Sequence, residues 1–380
     1  MSRIVLPAAI ALALVFAPPQ GAGASFKGDP GAIAFSSRRS GGDFDIVVRQ
    51  PDGSMSVLTD DPGLDLDPAW SPDGTQIAWS SNAQATGPHI WIMNADGSDQ
   101  MRLTTNNRFE TGPAWSPDGT RIAYVSRSNI WVSDADGTDQ VQLTTTARLA
   151  ELSPAWSPDG RSIAFTATAD GAASDIWTMS PNGSQRTNLT RSPVDEGSAS
   201  WSPGGTRIAF ARGRETAAEI WTMRADGSDQ RRLTRNDSRD QAPVWSPDGT
   251  RIAFINDADG DFDLWTMQPA GSDPTRLTDG GRSEFGPDWQ PVCTHLGTEG
   301  DDALTGTPGP DLLCGLGGND TIDGGGSNDE VYGGDGDDDV SGGDNEDFVA
   351  GDAGTDRCDG GEGTNDRFDR PSCEQVVGIP

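Results

Sequence analysis

Apolar residues alternate with turn residues in a pattern that repeats along residues 30–291. One copy, AWSPDGTRIAY from Ala114, joins a tryptophan, a proline–glycine turn and an apolar segment. In S-P-D-G, proline sets φ at the first turn position and glycine accepts the left-handed conformation at the exit. The flanking segments therefore predict a β-hairpin. Related copies recur at intervals of 41–45 residues, around Trp70, Trp115, Trp156, Trp201, Trp245 and a truncated copy at Trp289.

Two further signals repeat with the same period. An I-A-F-like segment begins at Ile33, Ile77, Ile122, Ile163, Ile208 and Ile252. A second hairpin, IWIMNADGSDQMRLT from Ile90 and its relatives, has A-D-G-S-D as the turn between its strands. Four short strands in about 44 residues are typical of one propeller blade. Because each signal occurs six times, the sequence predicts an all-β, six-bladed β-propeller.

The phase of the repeat predicts how the propeller closes. The chain enters at GAIAFSS (Gly31–Ser37) without a preceding W-S-P-D-G segment, and it leaves at FGPDWQP without a following I-A-F segment. We expect the last segment to supply the inner strand of the first blade, so that no sheet edge stays open between the two ends of the repeat. The repeated tryptophans then serve packing between blades. The repeated aspartates serve turns: Asp73, Asp118, Asp159 and Asp248.

From Gly297 the pattern changes to nine-residue units with the template G-G-x-G-x-D-x-U-x, where U is a large aliphatic residue. Position six holds Asp302, Asp311, Asp320, Asp329, Asp338, Asp347 and Asp356, then Asn365. Position eight holds Leu304, Leu313, Ile322, Val331, Val340, Val349 and Cys358, then Arg367. This template is that of a Ca²⁺-binding parallel β-helix. Glycines allow tight turns, and aspartate supplies the hard oxygen ligands that Ca²⁺ prefers. The sequence predicts a C-terminal parallel β-roll that binds Ca²⁺ through the seven aspartates.

The charge distribution supports this division. The formal net charge is −32, and residues 297–380 hold 22 of the 59 acidic residues but only three arginines. Such a composition argues against nucleic acid or an anionic membrane as a partner and favours cations. The thin core of the roll cannot offset both chain entropy and repulsion between carboxylates, so we expect Ca²⁺ binding and folding to be one event. The alternative is an acidic, flexible tail.

Both regions resemble known families. Residues 30–291 resemble the TolB-type β-propeller, whose repeat has the same x-P-x-W-S-P-D-G…I-A-F…D-G…L-T pattern. The nonapeptides resemble the RTX (haemolysin-type) calcium-binding repeat. That resemblance implies that alternate units share calcium on each side of the roll. One side would use Asp302, Asp320, Asp338 and Asp356, and the other Asp311, Asp329 and Asp347. On the second side Ser327 and Asn345 replace glycine at position four, so we expect the first side to bind more tightly.

The cysteines all lie in the C-terminal region, with no C-x-x-C pair. In an exported protein this favours disulfides over metal thiolates. Cys314 and Cys358 lie about 2.5 turns apart at ~4.8 Å per turn, or roughly 12 Å. That separation is too large for a disulfide in a formed roll. We expect the pairs Cys293–Cys314 and Cys358–Cys373, which would join the two ends of the roll.

The N-terminus predicts export. It has one arginine, a 13-residue apolar run at Ile4–Phe16 and an A-x-A-like site at Ala22–Ala24. The run is too short to span a bilayer, so a secretory signal peptide is favoured over an uncleaved anchor. We therefore expect a signal peptide at residues 1–24, the propeller at 25–291 and the roll at 292–380. The mature protein would be extracellular or associated with the cell wall, without membrane insertion.

An acidic residue precedes each repeated tryptophan by five positions. These residues occur once per blade: Asp65, Glu110, Glu151, Glu196, Asp240 and Glu284. They could form a ring of carboxylates near one mouth of the central channel, as a site for a cation or a basic peptide. Alternatively, each carboxylate binds backbone N–H groups of a neighbouring blade. We favour the second interpretation because every blade would need such a contact equally.

The sequence offers little support for catalysis. It has no G-x-S-x-G motif, and its only histidines are His89 and His295. His89 occupies a blade position that other blades fill with Asp45, Asn129, Asp175, Glu219 and Asp263. We predict a secreted, monomeric, non-catalytic calcium-binding protein whose propeller binds an unknown extracellular protein or glycan. One alternative is a secreted propeller hydrolase or lyase, stabilised by calcium, that acts on peptide or polysaccharide. The other is an inert propeller on a spacer.

Overall fold

The computed structural model describes residues 29–377, except 39–42, 84–86, 107, 146–148, 170–172, 214–216, 299, 364, 369–371 and 374. The predicted signal peptide lies outside these residues. All regular elements in the described part are strands, and it contains no helix long and apolar enough to cross a membrane. The strands form six four-stranded sheets followed by two five-stranded sheets. The predicted fold class, a six-bladed propeller followed by a parallel β-roll, is confirmed.

The propeller consists of short strands that follow the sequence repeat. In chain order they are β1 (Asp29–Arg38), β2 (Phe44–Arg49), β3 (Met55–Val57), β4 (Asp65–Trp70), β5 (Gln76–Ser81), β6 (His89–Asn94), β7 (Met101–Arg102), β8 (Glu110–Trp115), β9 (Arg121–Ser126), β10 (Asn129–Asp134), β11 (Val141–Gln142), β12 (Leu149–Trp156), β13 (Ile163–Ala169), β14 (Ser174–Met179), β15 (Thr187–Asn188), β16 (Glu196–Trp201), β17 (Arg207–Arg212), β18 (Glu219–Arg224), β19 (Arg231–Arg232), β20 (Asp240–Trp245), β21 (Ile252–Asn256), β22 (Asp263–Met267), β23 (Thr275–Arg276) and β24 (Glu284–Val292). Blade 1 has the strand order β24-β1-β2-β3, and blades 2 to 6 each use four consecutive strands.

The S-P-D-G turns fix the hairpin between each inner strand and its neighbour. In blade 3, Ser116 Oγ donates to Asp118 Oδ1 at 2.5 Å and accepts from the N–H of Arg121 at 2.9 Å. Gly119 ends the turn at φ 65°, a conformation that glycine adopts without steric cost. Ser246 and Asp248 repeat the side-chain contact in blade 6 at 2.6 Å. The repeated aspartates thus stabilise their own turns by accepting a hydrogen bond from the serine two residues earlier.

Each inner strand carries a β-bulge between its acidic residue and its tryptophan. In blade 2, the pairing of β4 with β5 shifts register between Leu66 and Ala69. The residue three positions before the tryptophan has a positive φ, between 48° and 61°, in every blade: Asp67, Gly112, Ser153, Ser198, Ala242 and Gly286. A bulge re-aims the side chains beyond it, so the acidic residue and the tryptophan of one strand face different neighbours.

The hydrophobic core lies between adjacent blades. Five of the six repeated tryptophans and the I-A-F segments are buried, as at Trp156 and Ile163, and Trp289 is half-buried. Some tryptophans also bind the preceding blade through the indole N–H. Trp115 Nε1 donates to the carbonyl oxygen of Ala69 at 3.2 Å, and Trp201 Nε1 donates to that of Ala155 at 3.3 Å. Packing between blades is therefore the structural role of these tryptophans.

The propeller closes where the phase of the repeat predicts. β24 pairs antiparallel with β1, which places Trp289 opposite Ile33 and Glu284 opposite Ser37. The same strand also binds blade 2, because Asp288 Oδ2 accepts the backbone N–H of Trp70 at 2.8 Å. First and last strands of the repeat thus share one sheet, and that sheet is bonded to its neighbour by a buried carboxyl group.

The roll consists of ten short strands in two parallel sheets. The first roll sheet contains β25 (His295–Leu296), β27 (Leu312–Gly317), β29 (Glu330–Asp335), β31 (Phe348–Ala353) and β33 (Arg367–Phe368). The second roll sheet contains β26 (Ala303–Thr305), β28 (Thr321–Asp323), β30 (Asp339–Ser341), β32 (Arg357–Asp359) and β34 (Gln375–Val377). The chain alternates between them, and the inward residues form the core of the roll, from Leu313 and Ile322 to Val349 and Cys358.

Asp288 makes the stability of the propeller dependent on pH. Burial raises the pKa of Asp288 to about 8, against the opposing effect of the N–H groups of Trp70 and Trp289. The native state therefore binds more protons than the unfolded state between about pH 4 and pH 8. Consequently, the free energy of unfolding falls as the pH rises through this range.

We expect Asp288→Asn to flatten this pH dependence and to raise the Tm at pH 8 by several degrees, at about 2–4 °C per kcal/mol. Thermal unfolding followed by tryptophan fluorescence at pH 5 and pH 8 measures the effect. The exposed substitution Asp237→Asn is the control and should leave both values unchanged. Equal pH dependence in wild type and Asp288→Asn would contradict this assignment.

Candidate metal centre

The position-six aspartates form two ladders, one along each side of the roll. In each ladder the carboxylate Oδ1 accepts the backbone N–H of the aspartate one turn earlier. Asp320 accepts from Asp302 at 2.8 Å, and Asp338 accepts from Asp320 at 2.7 Å. On the other side Asp329 accepts from Asp311 at 2.8 Å. The ladders continue at Asp347 and Asp356. The predicted grouping of the seven aspartates into two sets matches these contacts.

The other carboxylate oxygen of the ladder aspartates, Oδ2, is buried at Asp320 and Asp338 without such a contact in the described part of the chain. Asp320 and Asp338 are only 2% and 3% exposed. Their Oδ2 atoms are buried and have no hydrogen-bond partner among the described residues. A buried anionic oxygen without a partner is costly unless a proton or a cation compensates it. These oxygens are therefore where a metal ion would be held.

The glycine at the start of each unit leaves space around that oxygen. A Cβ at Gly342 would lie 2.6 Å from Asp347 Oδ2, and one at Gly324 would lie 3.0 Å from Asp329 Oδ2. A Cβ at Gly324 would also lie 2.3 Å from the backbone carbonyl oxygen of Gly342 in the next turn. Carboxylate and carbonyl oxygens thus meet in one cradle, which is the ligand chemistry that suits Ca²⁺.

The ladder concentrates negative charge inside the roll. Burial, together with the neighbouring Asp320, Asp356 and Asp337, raises the pKa of Asp338 to about 6. At neutral pH the ionised Asp338 therefore destabilises the folded roll unless a cation is present. Residues and charge both fit a bound Ca²⁺.

The final unit is one residue longer than the template before its aspartate. The sequence places Asn365 at position six and Arg367 at position eight. Instead, Asp366 Oδ1 accepts the N–H of Asp347 at 3.1 Å, and Phe368 lies opposite Val349. Phe368 packs against the core, and Asp366 extends the second ladder with a buried Oδ2. The sequence-based assignment at Asn365 and Arg367 was wrong because this turn contains one extra residue. The N-D pair at 365–366 was the available signal.

Two disulfides join the ends of the roll in the expected pairing. Cys293–Cys314 has a Cα–Cα distance of 6.0 Å, and Cys358–Cys373 has one of 5.7 Å. The first links the segment after β24 to the first roll sheet. The second links the second roll sheet to the C-terminal segment, where Cys373 packs in the core of the roll. Among the described residues no cysteine is free.

The six acidic residues of the inner strands are all buried, between 0% and 4% exposed. Several are bound to the preceding blade through a threonine. Thr278 Oγ1 accepts the N–H of Leu264 at 2.8 Å and donates to Glu284 Oε2 at 2.7 Å. The equivalent contact links Thr59 to Asp65, Thr190 to Glu196 and Thr234 to Asp240. The threonine belongs to the repeated L-T motif, but its role was not recognised from the sequence.

Each carboxylate also has individual partners. Glu110 Oε2 lies 3.0 Å from His89 Nδ1. Glu196 accepts from Arg212 Nε at 2.6 Å, and Glu151 is paired with Arg186. Burial raises the pKa of Glu284 to about 7. Of these partners His89 lies in the preceding blade, whereas Arg212 and Arg186 lie in the same blades as their carboxylates. All three are side chains rather than the backbone N–H groups that we expected, and none of these contacts tests a cation or peptide site.

A further acidic cluster lies in the β21–β22 hairpin, where Asp259, Asp261 and Asp263 offer ligand atoms within 4.8 Å of one another. The sequence interpretation did not single it out. However, Arg276 Nη2 lies 2.5 Å from both Asp259 Oδ2 and Asp263 Oδ2. The guanidinium group already bridges Asp259 and Asp263, so we assign no metal to this cluster.

Comparison with known protein families supports the assignment of both the propeller and the roll. The family model of the TolB beta propeller domain matches residues 15–130 and 126–297. The chain belongs to this family. The model of the RTX calcium-binding nonapeptide repeat (4 copies) matches residues 296–331 and 332–366. The predicted family resemblances are therefore confirmed, and the match identifies the repeats that contain the aspartate ladders as calcium-binding repeats.

Individual relatives of this TolB-family chain share less with it. A TolB homologue of Chlorobium luteolum is 42% identical over 62 residues, which is 16% of this chain and 14% of that protein. TolB from Acinetobacter baumannii is 20% identical with a TM-score of 0.59, over 74% of this chain and 70% of that chain. A putative TolB from Agrobacterium tumefaciens is 22% identical with a TM-score of 0.54, over 69% and 99%. At these identities the two structures show the fold alone.

Asp320→Asn tests the ladder. Asparagine retains an oxygen that can accept the N–H of Asp302 but removes the negative charge from the cradle, so we expect Ca²⁺ affinity to fall about tenfold or more. Isothermal titration calorimetry measures the affinity and the number of ions bound. Asp323→Asn removes the same charge from an exposed position three residues away and is the matched control. Equal loss in both variants would mean that overall charge, not the ladder, attracts calcium.

Glu196→Gln separates the two interpretations of the carboxylate ring. It leaves the partly buried Arg212 without its anion, so we expect the free energy of unfolding to fall by about 1–3 kcal/mol. If the ring joins blades, the number of Ca²⁺ ions bound should not change. Loss of one bound ion in calorimetry, with unfolding unaffected, would instead support a cation site in the ring.

Proposed function

We propose that this TolB-family protein is a secreted, non-catalytic calcium-binding protein in which a calcium-folded roll holds a propeller that binds an extracellular protein or glycan. The calcium part rests on one observation: the ladders bury carboxylate oxygens that have no hydrogen-bond partner within glycine cradles that a Cβ would fill, as at Asp320 and Asp338. Bound Ca²⁺ would supply the positive charge that those oxygens need.

Calcium binding and folding of the roll would then be coupled. The core of the roll has only one inward side chain per strand, in two facing rows that include Leu313 and Ile322. So small a core contributes little against the entropy of ordering the chain. Cation binding to the folded state alone would shift the equilibrium toward folding. Affinities of extracellular calcium modules, about 10⁻⁴–10⁻³ M, suit such an equilibrium outside the cell.

The propeller end that carries the buried carboxylates is our candidate binding face. Phe109, which directly precedes Glu110, is 49% exposed. Its neighbour Arg108 stacks over Trp131, with Cζ 4.1 Å from the ring centroid. Aromatic and arginine side chains are enriched in binding surfaces. These features support a protein or glycan ligand at that end of blade 3.

The disulfides and the RTX repeats favour an extracytoplasmic location, periplasmic or extracellular, because disulfides persist in oxidising compartments. We propose secretion, to the medium or the cell wall, and a monomeric state. The alternative function is a secreted propeller hydrolase or lyase. The observation that favours it is the buried pair of His89 and Glu110, a general acid–base combination.

A calcium titration of the full mature chain tests the proposal. Far-UV circular dichroism follows the ordering of the roll. All twelve tryptophans lie between Trp70 and Trp289, so their fluorescence reports on the propeller alone. We expect the circular dichroism signal to gain β-structure at roughly millimolar Ca²⁺. Mg²⁺ at the same concentration is the control and should act weakly, because it does not tolerate irregular oxygen cages.

The absence of any change in circular dichroism, together with no heat of binding, would refute the calcium function. Calcium-dependent hydrolysis or lyase activity on peptides or acidic polysaccharides that is lost in His89→Gln would favour the enzyme instead.

A further inference from the structure

The two sheets of the roll present outward faces of opposite character. Outward positions of the first roll sheet are buried and mostly apolar: Leu312, Cys314, Tyr332, Phe348 and Ala350. The corresponding positions of the second roll sheet are exposed or half-buried and mostly polar: Ala303, Thr305, Thr321, Asp323, Asp339, Ser341, Arg357 and Asp359. Since both sheets belong to one regular repeat, this difference indicates that the first face is covered and the second faces solvent.

The propeller covers the first face. Tyr332 Oη donates to the backbone carbonyl oxygen of Pro117 at 3.1 Å, and this contact is buried. The rings of Tyr332 and Phe348 lie 5.6 Å apart, and Arg367 Cζ lies 5.5 Å from the Phe348 ring centroid. Arg367 Nη2 lies 3.9 Å from Asp118 Oδ2. An aromatic and cationic patch of the roll thus rests on an S-P-D-G turn.

The contact extends over more than one blade. A Cβ at Gly160, in the S-P-D-G turn of blade 4, would lie 2.7 Å from Arg367 Nη2, so glycine admits the arginine there. In β8 the S-P-D-G turn follows the last residue, whereas Glu110 is the first. The roll therefore meets the propeller at the end opposite the carboxylate ring, roughly 15–20 Å away along the strand.

Tyr332, Phe348 and Arg367 form the surface of the roll that contacts the propeller, which we call the docking patch. This patch exists only when the roll is folded. Tyr332 lies on β29 and Phe348 on β31, which are neighbours in the first roll sheet because their turns stack in register. Arg367 joins them through the pairing of β33 with β31. The aspartate ladders run beside the same turns, with Asp329 preceding Tyr332 and Asp347 preceding Phe348. The cation that stabilises the stack therefore also assembles the patch.

We propose that calcium controls docking of the roll on the S-P-D-G face of the propeller: the calcium-loaded roll covers the turns of blades 3 and 4, and the calcium-free roll releases them. This inference rests on the proposed calcium function. The released roll stays attached, because β24 belongs to blade 1 and Cys293–Cys314 retains the first turn beside it. Reciprocally, docking tightens calcium binding, since both act on the same folded state.

Hydrogen exchange of the full chain, followed by mass spectrometry, tests the proposal. We expect 5 mM Ca²⁺, a concentration of roughly the order at which such modules bind, to slow exchange in peptides covering residues 114–121 about tenfold or more. The equivalent turn of blade 6, residues 244–251, lies across the ring from blade 3 and serves as an internal control that should not change.

Tyr332→Ser should remove the protection of residues 114–121 while calcium still protects the ladder peptides. Ser341→Ala, at the equivalent outward position of the second roll sheet, is the matched control and should behave as wild type. A propeller variant leaves the roll sequence intact. Asp118→Arg places like charge beside Arg367, so we expect the midpoint of the calcium titration to rise about fivefold. Asp248→Arg breaks the same turn contact in blade 6 and should leave the midpoint unchanged.

The outcomes distinguish failure of the docking proposal from failure of the proposed calcium function. If calcium protects the ladder peptides but leaves residues 114–121 unchanged, or if those residues are fully protected without calcium, the docking proposal is refuted and the calcium function stands. If calcium protects no part of the roll, the proposed function fails and calcium-controlled docking fails with it.

Discussion

The pairing of the last propeller strand with the first is the contact on which the rest of the molecule depends. β24 and β1 share one sheet, so the ring of blades has no open edge between its two ends. β24 runs from the carboxylate end of the propeller at Glu284 to the S-P-D-G end at Val292. Closure therefore also determines where the chain leaves the propeller, which is beside the turns that the roll contacts.

Carboxylates meet two opposite environments in this protein. In the propeller, buried acids such as Glu196 and Glu284 are satisfied by arginine or by the threonine of the preceding blade. In the roll, one oxygen of each ladder carboxylate accepts a backbone N–H, while at Asp320 and Asp338 the other oxygen has no protein partner. The first arrangement stabilises a fold without a ligand. Under the proposed function, the second would leave the stability of the roll dependent on a cation.

Much of this could be predicted from the sequence because both repeats have a fixed period. The tryptophan spacing predicted the blades, and the phase of the repeat predicted that its last segment pairs beside Ile33–Ser37, as β24 does. Contacts between repeats were harder to predict. The threonine that binds Glu284 lies only six residues earlier, but it belongs to another blade, and local sequence does not reveal that boundary. The extra residue before Asp366 was missed because a strict period assigned Asn365 to its place. The outward pattern at Tyr332 and Phe348 was visible, yet the surface that covers it is formed by distant turns.

The two disulfides at the ends of the roll have a consequence for how the protein matures. Their closed loops are short, with sequence separations of 21 and 15 residues, so they restrict the ends of the calcium-free chain but not its middle. A reducing, calcium-poor cell interior would provide neither bridge nor cation. The C-terminal region would there remain a highly charged, extended polymer. Oxidation and calcium loading are separate chemical events, and under the proposed function only their combination would complete the roll. The order in which a compartment supplies them would then decide which incomplete forms accumulate.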